Sequence, residues 1–316
     1  RKKADSPFTE DELLSKFTMV LLALEDLHHQ GQMHRNLSAA NVLVAKDGSL
    51  VLYENVGPTS VPDFGPRGGF ISPVATVESS GNGAPAFSDV DGDGDEDLIL
   101  GSTDGGLAFY ENVGDAGKPL FERKDLLDGL TVGEGSTPAL VDVGDGALGL
   151  VVGNTDGTLV YYRNADSTGF ERVEGTDDPF AGIDVGENSA PHFADLDDDG
   201  LPDLVVGAYD GRLSFFRNAG SLGAPAFVNT TANPFANVSV GYYSAPALAD
   251  VDGDDDLDLF VGERGGALIY YENTGSAAAP RFVKRTGSEN WLDGIDVGDD
   301  SKPAIVDLDG DGDLDF

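Results

Sequence analysis

A mainly β protein assembled from repeated four-stranded units is the fold this sequence predicts, on three observations. A nine-residue acidic phrase, DxDxDGxxD, recurs at intervals of 53 to 57 residues when a damaged copy at Asp142 is counted. Each copy lies between an apolar run led by proline and a second apolar run, and a glycine-bearing turn with a third apolar run ending in Asn follows. Repetition at this period makes each copy one supersecondary block that needs its neighbours to bury its faces. Four short strands per unit, apolar on both faces, suit the blade of a β-propeller packed between two others. A flat solenoid is the competing architecture.

Taken in chain order, residues 1–40 read as helical. SPFTEDELL from Ser6 is a helix-start phrase, and Phe17, Val20, Leu21, Leu24 and Leu27 fall at helical spacing. Residues 41–82 read as a half blade and linker: NVLVAKDGSLVLYENVG from Asn41 aligns with the strand–turn–strand from Asp97, and a Gly/Pro/Ser-rich stretch follows. Residues 83–316 carry the repeats, with blades near 83–135, 136–188, 189–243 and 244–300 and a partial one at 301–316. Within a blade, runs of four to six residues rich in Val, Leu, Ile, Phe and Tyr, bounded by Gly, Asp and Asn, read as strands. Thr103, Thr155, Tyr209 and Glu263 each open a glycine-bearing tetrapeptide of the kind tight hairpins require. The fourth strand is expected at PFAGIDVG from Pro179 and at WLDGIDVG from Trp291. The aromatic pairs at Tyr161, Phe215 and Tyr270 read as core between blades, because a strand between two sheets must be apolar on both faces.

The acidic phrase carries the chemistry. Carboxylates at positions one, three and five converge as the backbone curls, glycine at six permits the sharp turn, seven offers a carbonyl, and the aspartate at nine closes the cage. The candidate ligands are Asp89, Asp91, Asp93 and Asp97; Asp195, Asp197, Asp199 and Asp203; Asp250, Asp252, Asp254 and Asp258; and Asp307, Asp309, Asp311 and Asp315. All donors are oxygen, which favours a hard ion of six to eight ligands, calcium ahead of magnesium or zinc. The copy at Asp142 keeps only Asp142 and Asp145 and is expected to be empty. The bland alternative is a set of acidic turns at a sheet edge. The EF-hand fails, because position twelve is Leu100, Val206 or Val261 on a strand instead of a glutamate between helices.

Charge sets further bounds. Lys plus Arg number 19 against 57 Asp plus Glu, a net −38, which argues against nucleic acid or an anionic membrane as partner. Residues 1–35 carry five basic and six acidic side chains, so the imbalance belongs to the repeats. There is no cysteine and hence no disulfide framework, and no apolar stretch approaches the roughly 20 residues of a membrane helix. The chain opens on Arg1 and stops at Phe316 just after an acidic loop, so a longer polypeptide is expected.

Two resemblances follow from these residues. The loop, the Ser before each proline-led strand (Ser136, Ser189, Ser244, Ser301), the following ValGly or LeuGly and the YYENTG at Tyr270 resemble the FG-GAP/VCBS repeats of integrin-like propellers. That resemblance implies calcium in loops on one rim and a secreted or surface protein that binds proteins or glycans. It departs from the pattern at Asp255, where the loop glycine is replaced. Residues 24–44 resemble the catalytic-loop region of protein kinases, with His34, Arg35 and Asn41 matching, but Asn36 stands where the catalytic aspartate belongs and Ser38 where the lysine does. An amide cannot accept the substrate's proton, and the DFG position reads Glu54, Asn55, Val56, so this reads as a kinase-derived remnant without activity. His28, His29 and His34 are expected to have no role, and His192 to pack.

The leading functional reading is a non-catalytic, calcium-stabilised binding or adhesion module for a protein or glycan, extracellular or at the cell surface. The alternatives are a pseudokinase-related regulator with an appended propeller, which would suggest the cytoplasm, and a lectin or carbohydrate-active enzyme on a propeller scaffold. Asn229 and Asn237 lie in glycosylation triplets that matter only in a secreted chain.

Overall fold

A computed structural model describes residues 43–44, 50–51, 53–55, 64–66, 74, 77, 81 and 83–314, apart from 115–117, 144–147, 165–168 and 309–313. The chain divides into two units, Arg1–Leu37 and Ser38–Phe316, and every described residue belongs to the second. The kinase-like helical segment expected over 1–40 lies outside the described residues. Among those described, helix is confined to two short 3-10 turns, Gly175–Asp177 and Gly287–Glu289. No helix among them is long and apolar enough to cross a membrane.

Two small hairpins come first, β1 (Leu43–Val44) with β2 (Leu50–Val51) and β3 (Tyr53–Asn55) with β4 (Phe64–Pro66). Four complete antiparallel blades follow, making this a β-propeller. They are β5 (Ala84–Ser88), β6 (Asp97–Gly101), β7 (Leu107–Asn112) and β8 (Phe121–Lys124); β9 (Thr137–Asp142), β10 (Leu148–Gly153), β11 (Leu159–Asn164) and β12 (Phe170–Val173); β13 (Ala190–Ala194), β14 (Asp203–Gly207), β15 (Leu213–Asn218) and β16 (Phe227–Asn229); and β17 (Ala245–Ala249), β18 (Asp258–Gly262), β19 (Leu268–Asn273) and β20 (Phe282–Lys284). The second strand of each blade is sandwiched between neighbouring sheets. In β6, β14 and β18 every residue is buried, which is why these runs are uninterruptedly apolar after their first aspartate.

The fourth strand is not where the sequence places it. It is the earlier, shorter run β8, β12, β16 or β20, whose outer-edge position leaves charged residues such as Glu122 and Glu171 exposed. The segments from Pro179 and Trp291 are instead turns, closed by Ile183 N–H to Phe180 O at 3.1 Å and Ile295 N–H to Leu292 O at 3.0 Å. They touch the sheet through single bridges, Thr158 with Asp184 and Ala267 with Asp296. Each drives one apolar side chain between blades. Phe180 meets Tyr161 of the second blade at 5.2 Å between ring centres and stacks on Phe227 of the third at 4.9 Å. Tyr161, Phe215 and Tyr270 are buried in these interfaces.

Adjacent blades are also pinned by hydrogen bonds. The fully buried Ser189 hydroxyl accepts the Asn154 N–H at 2.9 Å and donates to Thr158 O at 2.7 Å, both on the preceding blade. Ser136, Ser244 and Ser301 repeat this pattern on their own preceding blades. The same contact explains the glycine that ends each second strand: a Cβ on Gly207 would lie 2.0 Å from Ser244 O.

The two ends of this unit meet the flanks of the outer blades. Leu50 of β2, Val306 and Leu308 pack with Leu98 and Tyr110 of the first blade. Tyr53 of β3, Ile305 and Leu314 pack with Phe260 and Tyr270 of the fourth. Side chains of β2 and β3 and of residues 305–308 therefore pack against the flanks of the fourth and first blades. Inner strands line the axis, where residues 302–305 join β5, β9, β13 and β17 around a narrow channel of about 130 Å³.

Candidate metal centres

The acidic loops join the first strand of a blade to its second, so they all lie at the same end of the blades. Their curl is made by the first aspartate. Asp89 accepts the N–H groups of Gly92 at 2.7 Å, Asp93 at 3.1 Å and Gly94 at 3.0 Å. Asp250 does the same for Gly253, Asp254 and Asp255, and Asp195 for Asp199 and Gly200. Two loop positions, not one, take left-handed backbone. Position four is Gly92, Asp198 or Gly253, at φ 82°, 57° and 75°, and position six is Gly94, Gly200 or Asp255, at 97°, 82° and 67°. The replacement at Asp255 therefore keeps the loop's path, with an aspartate in a conformation that favours glycine.

The ninth aspartate ties the loop to the third strand. Asp97, Asp203 and Asp258 are at most 2 % exposed. Their Oδ1 atoms accept the N–H groups of Asn112 at 2.8 Å, Asn218 at 2.7 Å and Asn273 at 2.7 Å. The other oxygen takes Val90 N–H or Leu196 N–H, or the Tyr270 hydroxyl at 2.7 Å. Burial outweighs these bonds and pushes Asp97 and Asp203 up to about 6 and Asp258 up to about 7. Asp91 and Asp252 are raised as well, by desolvation first and by neighbouring carboxylates. These five carboxylates thus resist ionisation on their own, and a nearby cation would relieve them.

Three groups of carboxylates bring one oxygen each within 4.8 Å of one another: Asp89, Asp91 and Asp97; Asp195, Asp197 and Asp199; Asp250, Asp252 and Asp254. Asp93, Asp203 and Asp258 stand outside these groupings although they belong to the same loops. Asp307 is described, whereas Asp309, Asp311 and Asp315 lie outside the described residues, as does Asp145. Asp142 closes the strand β9 opposite Leu148 and is exposed. The donor set fits a hard, oxygen-seeking ion. Among the described residues Asp197 Oδ1 and Asp252 Oδ1 are buried acceptors without a hydrogen-bond partner, as a ligand atom aimed at an ion is.

Side chains beside the loops escaped the sequence reading. Glu111, Arg217 and Glu272 hold the same place in β7, β15 and β19, one residue before the Asn, and all three face their blade's acidic loop. Asp256, read only for its backbone carbonyl, has a buried Oδ1 without a partner, and burial followed by repulsion from Asp254 raises it to about 6. The signal was present in the repeat alignment, but strand spacing alone does not say which third-strand residue overhangs the loop.

The opposite end of the axis opens into a cavity of about 730 Å³, lined by Thr103, Thr155, Asp156, Asn188, Tyr243 and Lys302 among others. Tyr243 holds a left-handed φ of 59° there, a strained choice for a bulky residue. Its ring meets Tyr209 edge-on at 5.0 Å and lies under the Arg264 guanidinium at 5.5 Å. The Lys302 amine donates to Thr137 Oγ1 at 3.5 Å, and dry surroundings lower it to about 8. His192, in the channel wall, is lowered to about 4 by desolvation, and its Nε2 accepts the Leu248 N–H at 3.1 Å, a packing arrangement.

Residues 195–261, from the third blade's acidic loop into the second strand of the fourth blade, match the FG-GAP-like repeat family. No curated protein sequence matches the chain. Solved structures to which the chain is similar include an Agrocybe aegerita lectin that recognises non-reducing terminal N-acetylglucosamine, 18% identical over 78% of this chain and 61% of its own, at a TM-score of 0.40. This chain thus corresponds to less than two thirds of that lectin's length. A thermostable family-43 glycoside hydrolase is 11% identical over 66% and 74% of the two chains, at 0.43. An exo-inulinase from Aspergillus awamori is 11% identical over 78% and 64%, at 0.38.

Proposed function

We propose that this propeller is a calcium-stabilised binding module that recognises a protein or glycan, working outside the cell or at its surface. One observation supports it above others: the two ends of the blades divide the labour. The acidic loops gather at one end, where the first aspartate of each shapes the backbone and positions one, three and five or nine present oxygens to an ion. The axial cavity opens at the other, with hydroxyl, amide, aromatic and charged groups around it. When bound, calcium supplies neutralisation of the clustered carboxylates. Asp89, Asp91 and Asp97, and Asp250, Asp252 and Asp254, are the residues to hold it. The strongly raised carboxylates Asp97, Asp203 and Asp258 are committed to N–H and O–H donors inside the blades, which favours a scaffolding role for them over acid–base work.

Thermal melts with calcium and with EDTA test the metal half of this reading. With calcium at ten times Kd, each loaded loop adds about 1.4 kcal/mol by mass action; a melting temperature unmoved by chelation sinks it. Capture from a panel of glycans and extracellular proteins tests the other half. Lys302→Met and Tyr243→Asn are expected to reduce capture several-fold without lowering the melting temperature. Capture indifferent to both variants would move the ligand away from the axial cavity.

A further inference from the structure

The three described loops are not equivalent, because one of them already holds a cation. Arg217 reaches from β15 into the third blade's loop, where its Nε donates to Asp197 Oδ2 and its Nη2 to Asp199 Oδ2 at 2.9 Å. Those two carboxylates, with Asp195, are the oxygens that converge in this blade. A guanidinium is planar, permanently charged and forked, so one group spans the third and fifth loop positions at once. In the first and fourth blades the same strand position carries the opposite charge. Glu111 faces the loop of Asp91, and Glu272 that of Asp252. A cavity of about 310 Å³ beside the first blade's loop is lined by Asp91, Glu111 and Lys124 among others, the lysine paired to the glutamate at 3.4 Å.

We propose that Arg217 is the built-in counter-cation of the third blade's loop, so that this loop takes calcium more weakly than the loops of the first and fourth blades. The inference rests on the calcium reading of the acidic loops. Its physical basis is ligand charge: affinity in oxygen sites is tuned over decades by the number of uncompensated carboxylates. Arg217 compensates two of them, whereas in the first and fourth blades the neighbouring cation, Lys124 or Arg285, pairs with Glu111 or Glu272 and not with a loop aspartate. An ion entering the third loop must displace the guanidinium or sit beside a like charge. The three described loops are then of two kinds, two that respond to calcium and one that is kept in shape without it.

Calorimetric titration of calcium into the intact, chelator-stripped chain tests this, using the wild type, Arg217→Gln, Arg217→Glu and the marker variant Asp197→Asn. The wild type is expected to show strong sites and a class at least tenfold weaker. Arg217→Glu should convert one weak site to a strong one, Arg217→Gln should tighten it by a smaller factor, and adding Asp197→Asn to Arg217→Glu should abolish the gain. Because Arg217→Glu could unfold the loop, Arg217→Gln and a melt in EDTA accompany it: loss of the ion pairs lowers the EDTA melting temperature, which calcium then restores. Calcium binding with constants unchanged by either Arg217 variant overturns this inference and leaves the calcium reading intact. No calcium uptake by any of the proteins overturns both.

Discussion

The second blade matches the first, third and fourth in its strands and differs from them in its loop. In the first blade the ladder between first and second strands starts at Ser88 opposite Asp97, and in the second blade the corresponding pair is Val141 opposite Gly149. The second blade adds a further pair, Asp142 opposite Leu148, where its neighbours have already entered the acidic curl. Gly149 stands where Asp97, Asp203 and Asp258 stand. The space of that carboxylate is taken by a ring, since a Cβ on Gly149 would lie 2.8 Å from Tyr161 Cε2. Its partner has lost its work as well. In the other blades the equivalent Asn donates to the ninth aspartate and accepts two N–H groups, as Asn218 does from Gly220 at 3.2 Å and Ala226 at 3.1 Å. In the second blade Asn164 Oδ1 is buried without a partner among the described residues.

The comparison teaches that the sheet of a blade forms without its acidic loop, and that the loop with its buried aspartate is an added device on the rim. A blade that discards the carboxylates also discards the buried charge that only a cation or a proton relieves. That is why the fault in this repeat leaves β9 to β12 fully paired.

The sharpest way to break the comparison is to remove the buried aspartate from an intact blade. Asp203→Ala strands the N–H groups of Asn218 and Leu196, each costing about 1–3 kcal/mol when left unpaired in the interior. A denaturant titration in EDTA, which keeps metal out of the measurement, is expected to show a loss of about 2–5 kcal/mol; a loss below 0.5 kcal/mol would mean that the aspartate serves the ion alone. The converse change, Gly149→Asp, asks whether the second blade can be repaired by one residue. The clash with Tyr161 makes it destabilising by about 1–3 kcal/mol, as for other overpacked sites. Pairing it with Tyr161→Ala tests the cause, because the double variant should cost less than the two single changes added together. The smallest effect is expected at Asp255, the non-glycine residue at φ 67° in the fourth blade's loop. Asp255→Gly should stabilise the metal-free protein by up to about 1 kcal/mol, and a destabilisation would show that this side chain is needed there.

Much of this architecture is legible in the repeats. The first, second and third strands, the hairpin glycines and the acidic loops are local, and their periodicity shows in four copies. The fourth strand was misplaced because β16 and β20 are three residues long and partly exposed, whereas the turn at Phe180 carries a longer apolar run for packing between blades. The serines before each proline-led strand were visible as marks. Their task, reaching back about 35 residues to the preceding blade's hairpin, was not, because nothing local to the serine needs it. Likewise the loop ligands could be named in sequence, but the split between Asp97 inside one grouping and Asp203 and Asp258 outside theirs depends on side-chain placement.

What the sequence determined by itself is whatever one repeat contains: strand, curl, strand, turn, strand, with carboxylates at fixed offsets. Hydrogen bonding within a turn and alternation along a strand act over a few residues, so they are written in the order of the chain. What only the tertiary structure decided is how the repeats meet. It placed Leu50 beside Leu308 and Tyr53 beside Leu314, so that pieces from both ends of the unit cover the first and fourth blades. It also set Arg217 over one acidic loop and Glu111 and Glu272 beside two others. The reason is that burial and charge pairing act through space, and a blade flanked on both sides by others takes its partners from wherever the chain brings them.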